Sequence, residues 1–371
     1  MRQAVEMESR SGSHVCVLGD RGVSETDAVV LSMTPTDSEL ASSSVADALQ
    51  RMGILAAGQD ATMQRLTGGV SSDIWRVDLP GGSVCVKRAL AQLRVAATWL
   101  APIERSRHEW NWYRTVDERL PGLCPRPLAR DPQTDTFAME FLSPERYRLW
   151  KSELLAGRID PAMGHAAGST IGRIHAATAD DTRLAAEFAT DDCFYSIRLE
   201  PYLEATARAQ PDVAVELMQL LRVTADTKLV LVHGDASPKN IMVGPQGPVI
   251  LDAECAWYGD PAFDVAFCLN HLLLKCLLRS EDAALLADTY VRFVDAYRPL
   301  VTWEDADAVE ARASRLIAGL LLARVDGKSP VEYITRDEQR AHVRRAAKGL
   351  LRQPETCLRG VLTRWREEIA S

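Results

Sequence analysis

Hydrophobic residues change their spacing along the chain, and the change divides it in two. Residues 74–79 read Ile-Trp-Arg-Val-Asp-Leu, an alternation of period two that predicts a half-buried strand. Pro80-Gly81-Gly82-Ser83 supplies a tight turn, and Val84-Cys85-Val86-Lys87 predicts a second strand that ends on a lysine. Residues 63–66 lead into this pair through a Gly-Gly stretch. At 103–120 the spacing turns helical, with Trp110, Trp112, Tyr113 and Val116 giving the apolar surface. A proline-rich connection at 121–127 follows, then a strand at 136–142, Thr-Phe-Ala-Met-Glu-Phe-Leu. From residue 143 onward the pattern is helical at 162–177, 217–223, 263–278, 282–297, 303–324 and 336–369. It is interrupted only by short apolar runs at 229–232 and 248–251. Upstream, Ser43 or Ser44 supplies a hydroxyl cap for a helix that stops at Gly53. Residues 1–37 have no sustained period and are expected to form a mobile or loosely docked extension, although 15–18 and 29–31 can instead add short strands.

The two short runs in the second half each end on a carboxylate, Asp235 after the first and Asp252 after the second. Lys239 and Asn240 lie between them, followed by a turn-rich piece at 243–247. A hairpin built from the two runs would bring Asp235, Asn240 and Asp252 to one sheet edge. That set has a chemical use. One carboxylate accepts the proton of a substrate hydroxyl, while an amide oxygen and a second carboxylate hold Mg²⁺ on nucleotide phosphates. Either aspartate alone reads as a turn cap or a strand end; the ordered string is what points to phosphoryl transfer.

His233-Gly234-Asp235 followed by Asn240 resembles the HGDxxxxN catalytic loop of the aminoglycoside phosphotransferase and choline kinase family. Ile250-Leu251-Asp252 is similar to the strand that carries the family's metal-binding aspartate, and Gly259-Asp260-Pro261 through Asp264 is similar to its GDPxxD segment. The resemblance covers about residues 60–330. It implies an α+β, two-lobed protein-kinase-like fold, with a small β-rich N-lobe at 38–142 and a larger, mostly helical C-lobe at 143–371. It also implies an ATP- and Mg²⁺-dependent phosphotransferase that acts on a hydroxyl of a small molecule. Asp235 would be the base or orienting carboxylate, and Asn240 and Asp252 the metal ligands. Gly68, Gly69, Ser71 and Ser72 would lie against the phosphates. Lys87 would be paired with Glu109 (Glu104 being the rival) and would hold the phosphates. Met139, Glu140 and Leu142 would line or bond the adenine. Two departures are local: Ala236-Ser237-Pro238-Lys239 replaces a Leu-His-Pro-Gly type of insert, and Ala253-Glu254 stands where a protein kinase carries Phe-Gly. His233 would brace the loop, Asp260 and Asp264 would be structural, and His175 and His271 read as core histidines.

Composition narrows the partners. The chain has 371 residues, of which 47% are hydrophobic and 25% charged, and a net charge of −8, so bulk affinity for nucleic acid or an anionic membrane is not expected. None of the eight cysteines forms a CxxC pair or a zinc spacing, which suits a reducing, cytoplasmic setting. No apolar run is long enough to span a bilayer. The partner expected is a small-molecule hydroxyl acceptor, and the protein a monomer or homodimer. The acceptor class stays open between an amino-alcohol, amino-sugar or sugar-like metabolite and an aminoglycoside-type antibiotic. The antibiotic would need an acidic cleft, to which Glu254, Asp180, Asp181, Asp191 and Asp192 are candidates. A non-catalytic nucleotide-binding module on the same scaffold is the other class of answer. The polar break at 324–330 reads either as a loop closing over the acceptor or as a helix connection.

Overall fold

The computed structural model describes residues 35–66, 72–90 and 104–370. Five antiparallel strands form the sheet of the small lobe: β1 (Thr62–Leu66), β2 (Ser72–Leu79), β3 (Gly82–Ala89), β4 (Pro127–Asp131) and β5 (Thr136–Glu140), in the order β1-β2-β3-β5-β4. β4 lies in the segment expected to be a plain connection. Its Pro127 sits where the pairing with β5 shifts register, at the sheet edge, where a strand tolerates a residue that has no N–H.

The alternation of β2 is realised in space: Trp75 and Val77 point to one face together with Val86 and Ala138. The helix Pro35–Arg51 covers this face with Val45 and Leu49, and Arg51 pairs with Asp131 at 2.7 Å. That helix begins more than two turns before the expected hydroxyl cap and takes in the last residues of the segment expected to be an extension; residues 1–34 lie outside the described residues. On the opposite face Cys85, Lys87, Phe137 and Met139 turn toward the helix Arg105–Arg119, whose Trp112, Tyr113 and Val116 are buried.

The large lobe is helical. Its centre is Ala262–Leu278, which is buried from Ala262 through Cys276 because it is apolar on every side. Ala283–Tyr297 and Ala306–Asp326 flank it. Pro161–Thr178 packs closely on Ala283–Tyr297; a Cβ at Gly168 would lie 2.2 Å from the Phe293 carbonyl oxygen, so only glycine allows that approach. The helical pattern at 336–369 is two helices, Asp337–Arg352 and Leu358–Ala370. They are broken at Pro354, which removes a helical N–H and turns the preceding residue away from the α region.

Two small sheets carry the loops between the lobes. β6 (Arg148–Leu149), β8 (Ile241–Gly244) and β9 (Gly247–Ile250) form one, and β7 (Val230–Val232) pairs with β10 (Trp257–Gly259) in the other. The expected hairpin between 229–232 and 248–251 is therefore replaced. β9 takes its partner from the residues just after Asn240, and β7 pairs with a strand beyond Asp252. Among the described residues no helix is long and apolar enough to cross a membrane.

Candidate active site

The loop after β7 is held by its own backbone. The amides of His233 and Gly234 donate to the Asp264 carboxylate at 2.7 and 2.9 Å. Gly234 has φ +76°, and a Cβ there would meet the Cys255 carbonyl oxygen at 2.5 Å, so glycine is required twice over. His233 Nε2 lies 2.9 Å from the Leu251 carbonyl oxygen, and the Asp235 amide donates to His233 Nδ1 at 3.1 Å. These two bonds together assign the Nε2–H tautomer. Burial pushes the pKa of this imidazole below its usual value despite Asp264 and Asp235, so it stays neutral and braces one catalytic strand end against the other. Asp264 also receives His175 Nε2 at 3.2 Å, and Asp260 accepts from the Ala262 amide at 3.0 Å while pairing with Arg312.

Asp235 emerges from this brace 2% exposed. Its Oδ2 takes two cations, Arg198 at 2.9 Å and Lys239 at 2.9 Å. Its Oδ1 is buried and has no hydrogen-bond partner. Burial raises the pKa of this carboxyl, but Arg198 and then Lys239 outweigh it and hold the group below the usual carboxylate range. Neither cation was singled out from the sequence. Lys239 had a local signal, four residues past Asp235 across the tight turn Pro238–Asn240. Arg198 had none. It sits in the π-helix Tyr195–Glu204, which contains Pro201. The proline cannot donate to the Ile197 carbonyl four residues back, and Arg198 Nη1 donates there instead at 2.7 Å. Arg198 Nε donates to the Gly234 carbonyl oxygen at 2.5 Å, which ties the irregular helix to the loop.

Across the cleft, Lys87 on β3 donates to Glu109 Oε1 at 2.7 Å and to Asp252 Oδ1. The sequence rival Glu104 lies exposed just before the helix. Burial pushes Glu109 up, to about 7, against the pull of Lys87. Asp252 moves the other way: burial opposes ionisation, but Lys87 and Lys239 keep it well below the carboxylate range. Its backbone is left-handed, with φ +65°, a conformation that asparagine and aspartate tolerate better than most residues. Asn240 donates its amide nitrogen to the Asp235 carbonyl oxygen at 3.1 Å, which turns its amide oxygen the other way. That oxygen and the Asp252 carboxylate are hard ligands of the kind Mg²⁺ takes alongside phosphate oxygens. Among the described residues there is no cluster of three or more His, Cys, Asp or Glu able to hold a metal without such a partner.

The remaining expected residues divide. Met139 lies on β5 opposite Cys85, on the cleft side; Glu140 ends that strand with its amide donating to the Arg126 carbonyl oxygen at 2.9 Å; Leu142 is half-buried just beyond. Ser72 opens β2 and is buried. Gly68, Gly69 and Ser71 lie outside the described residues. Three of the five carboxylates considered for an acidic cleft hold partners within the chain. Glu254 pairs with Arg105 at 2.9 Å, Asp181 caps the helix Thr182–Glu187 and binds Arg119, and Asp191 binds Lys228 and the Trp257 indole. The break at 324–330 folds back on the π-helix: the Lys328 amide donates to the Pro201 carbonyl oxygen at 3.1 Å, and its ammonium binds Glu200 at 2.7 Å.

The chain is 27% identical over 225 residues to the methylthioribose kinase of Geobacillus kaustophilus, covering 53% of this chain and 56% of that kinase. It is 23% identical over 245 residues to methylthioribose kinase 1 of Oryza sativa subsp. japonica, covering 57% and 56%. The chain thus spans a little over half the length of these relatives. Its fold is similar to that of an amicoumacin kinase solved with AMP-PNP and Ca²⁺, with TM-score 0.51, 15% identity, and 80% of this chain and 90% of that one covered. It is also similar to a choline/ethanolamine kinase family protein from Mesorhizobium loti, with TM-score 0.50, 16% identity, and 86% and 97% covered. The two lobes are thus those of the kinase-like α+β fold. With residues 62–303 matching its sequence model, the chain belongs to the phosphotransferase enzyme family.

Proposed function

We propose that this chain is a small-molecule kinase that moves the γ-phosphoryl group of ATP, bound with Mg²⁺, to a hydroxyl of a sugar-like or amino-alcohol metabolite. The observation that carries the reading is the asymmetry of Asp235, whose Oδ2 is saturated by two cations while Oδ1 is buried without a partner. An unfilled buried acceptor costs about 1–3 kcal/mol, and a substrate hydroxyl donating to Oδ1 removes that cost while it orients the nucleophile. Because Asp235 stays ionised, it can take the hydroxyl proton as the new P–O bond forms.

Lys87, positioned by Glu109, binds the nucleotide phosphates, with Ser72 beside them; Gly68, Gly69 and Ser71, expected to join them, lie outside the described residues. Met139, Glu140 and Leu142 receive the adenine. Asn240 and Asp252 would hold Mg²⁺, which supplies neutralisation of phosphate charge. Residues 38–142 form the nucleotide lobe and 143–371 the acceptor lobe, and the enzyme works in the cytoplasm on a diffusible acceptor. The methylthioribose kinases among its relatives favour a sugar-like acceptor.

The test is Mg²⁺-ATP turnover with a panel of sugars, amino-sugars and hydroxylated amines or acids, with Asp235→Ala as the control. Acceptor-dependent ADP release that disappears in the variant supports the kinase. Absence of nucleotide binding would replace it with a non-catalytic scaffold.

A further inference from the structure

Beyond Asp235, the large lobe holds a cluster of cations that the phosphate chemistry does not use. The helix Ala262–Leu278 presents Phe267, His271 and Lys275 at successive four-residue steps, a single stripe about 12 Å long at 1.5 Å per residue. Its near end meets the catalytic loop, since the Arg198 guanidinium sits 5.8 Å from the ring centres of both Phe267 and Tyr202. From there the polar groups continue without a break. Arg324 lies 5.6 Å from the centre of the Tyr202 ring and donates to the Tyr202 hydroxyl at 3.0 Å. His271 stands edge-on to Phe267 at 5.7 Å and is 3.0 Å from the Tyr333 hydroxyl. The Lys275 ammonium faces the Tyr333 ring at 4.8 Å.

Beyond Asp235 this stripe bonds no carboxylate among the described residues, although the charge of Glu332 reaches Lys275 and Arg324. Asp235 is already shared between Arg198 and Lys239. Glu332 is mostly exposed and pairs with Lys151. Lys275 is 1% exposed and Arg324 8%, and among the described residues neither touches a carboxylate. Arg324 bonds only neutral oxygens, those of Tyr202 and Ser329, and its buried Nε has no partner at all. A buried cation without a counter-ion opposes folding, and proteins hold such groups where a ligand supplies the missing charge. The burial of Lys275, with Lys151 and Arg324 nearby, outweighs Glu332 and lowers its pKa to about 7.

We propose that the phosphate acceptor carries an anionic group, a carboxylate or a phosphate, which seats between Arg324 and Lys275 beside Tyr333 while its hydroxyl reaches Asp235. The placement of the hydroxyl rests on the kinase reading above; the anion subsite stands on its own residues. An ammonium group seated there would meet Arg324 and Lys275 with no carboxylate bonded to either, so acidic sugars or hydroxy acids are preferred over amino-alcohols and aminoglycosides.

The experiment uses the full chain and three six-carbon probes that differ only at one end: gluconate, sorbitol and 1-amino-1-deoxysorbitol. Calorimetric titration should show gluconate binding at least tenfold more tightly than sorbitol, with the amine weakest. Lys275→Met and Arg324→Met should each remove that preference and leave Mg²⁺-ATP affinity within twofold. Lys275→Met trades a buried charge for an apolar chain of similar length, so it should fold with an unchanged or higher melting temperature. A side chain that served only to pack against Tyr333 would give a lower one. Equal binding of the three probes, tighter binding of the amine, no binding of any probe, or a preference that survives both substitutions would overturn the proposal. Turnover in the same samples, with Asp235→Asn as the control, reports on the kinase separately. Gluconate preference without any turnover would leave the anion subsite standing and remove the kinase.

Discussion

The hydroxyl of Tyr113 accepts the backbone N–H of Asp252 at 2.7 Å, joining the helix of the small lobe to the metal-side aspartate of the large one. The same hydroxyl donates to Glu109 at 3.0 Å, so one oxygen coordinates the carboxylate that positions Lys87 and the backbone that presents Asp252. Tyr113→Phe keeps the ring and its packing but strips both bonds in a buried place. The expected loss is about 1–3 kcal/mol of stability. The KM for ATP should rise about tenfold, as expected if 1.4 kcal/mol of that loss falls on the bound state. A melting curve and ATP kinetics check it; an unchanged KM would separate Tyr113 from nucleotide binding.

Asp235→Asn should lower kcat by about 10²–10⁴-fold, the range of a positioned acid–base group. Nucleotide affinity should hardly change, because in the proposed reaction Oδ1 takes the acceptor hydroxyl and not the phosphates. Retained turnover would remove Asp235 from the reaction.

Arg198 acts through Asp235 and is a positioning residue. In the wild-type protein Arg198 and Lys239 depress the pKa of Asp235, so kcat/KM should stay level through the ordinary carboxylate range and fall only at lower pH. In Arg198→Met burial regains the upper hand, and the acid limb should move to higher pH. A limb that does not move would mean that Asp235 is not the titrating group.

Lys275 makes a stability prediction whose sign follows from its pKa of about 7 in the fold, against the ordinary 10.5 of an unfolded lysine. Between those values the unfolded chain binds more protons, so stability should rise with pH, by at most about 1.4 kcal/mol per unit. Lys151, Glu332, Cys268, Arg324, His271 and Tyr333 face the same ammonium and modulate the slope. Thermal melts at pH 7 and pH 9 should show the gain in the wild-type protein and its loss in Lys275→Met.

Leu49, fully buried under the sheet of the small lobe, tests the helix Pro35–Arg51 as part of the nucleotide lobe. Leu49→Ala should destabilise the protein by about 2–5 kcal/mol. A loss below half a kcal/mol by chemical denaturation would show that this helix adds little.

Much was legible in the chain because its signals are local. Period two at 74–79 and a turn of Pro and Gly specify a hairpin wherever they occur, and 3.6-residue spacing placed the helices of the large lobe to within a few residues. The order His233-Gly234-Asp235, Asn240, Asp252 pointed to the family, because that string resembles its loop residue by residue. β4 was lost because Pro127 and a bulge obscure its alternation, and the partner of β7 was lost because nothing near 229–232 says which later strand will take its hydrogen bonds.

The sequence by itself determined the two-lobed arrangement and the family. Tertiary structure alone decided that Arg198 reaches Asp235, that the Tyr113 hydroxyl links Glu109 to the Asp252 backbone, and that Lys275 and Arg324 come together where, among the described residues, neither bonds a carboxylate. Arg198 with Asp235, Tyr113 with Asp252 and Lys275 with Arg324 are each pairs far apart in the chain. Their energies come from burial and from the low dielectric of the interior, and neither leaves a periodic trace along the chain.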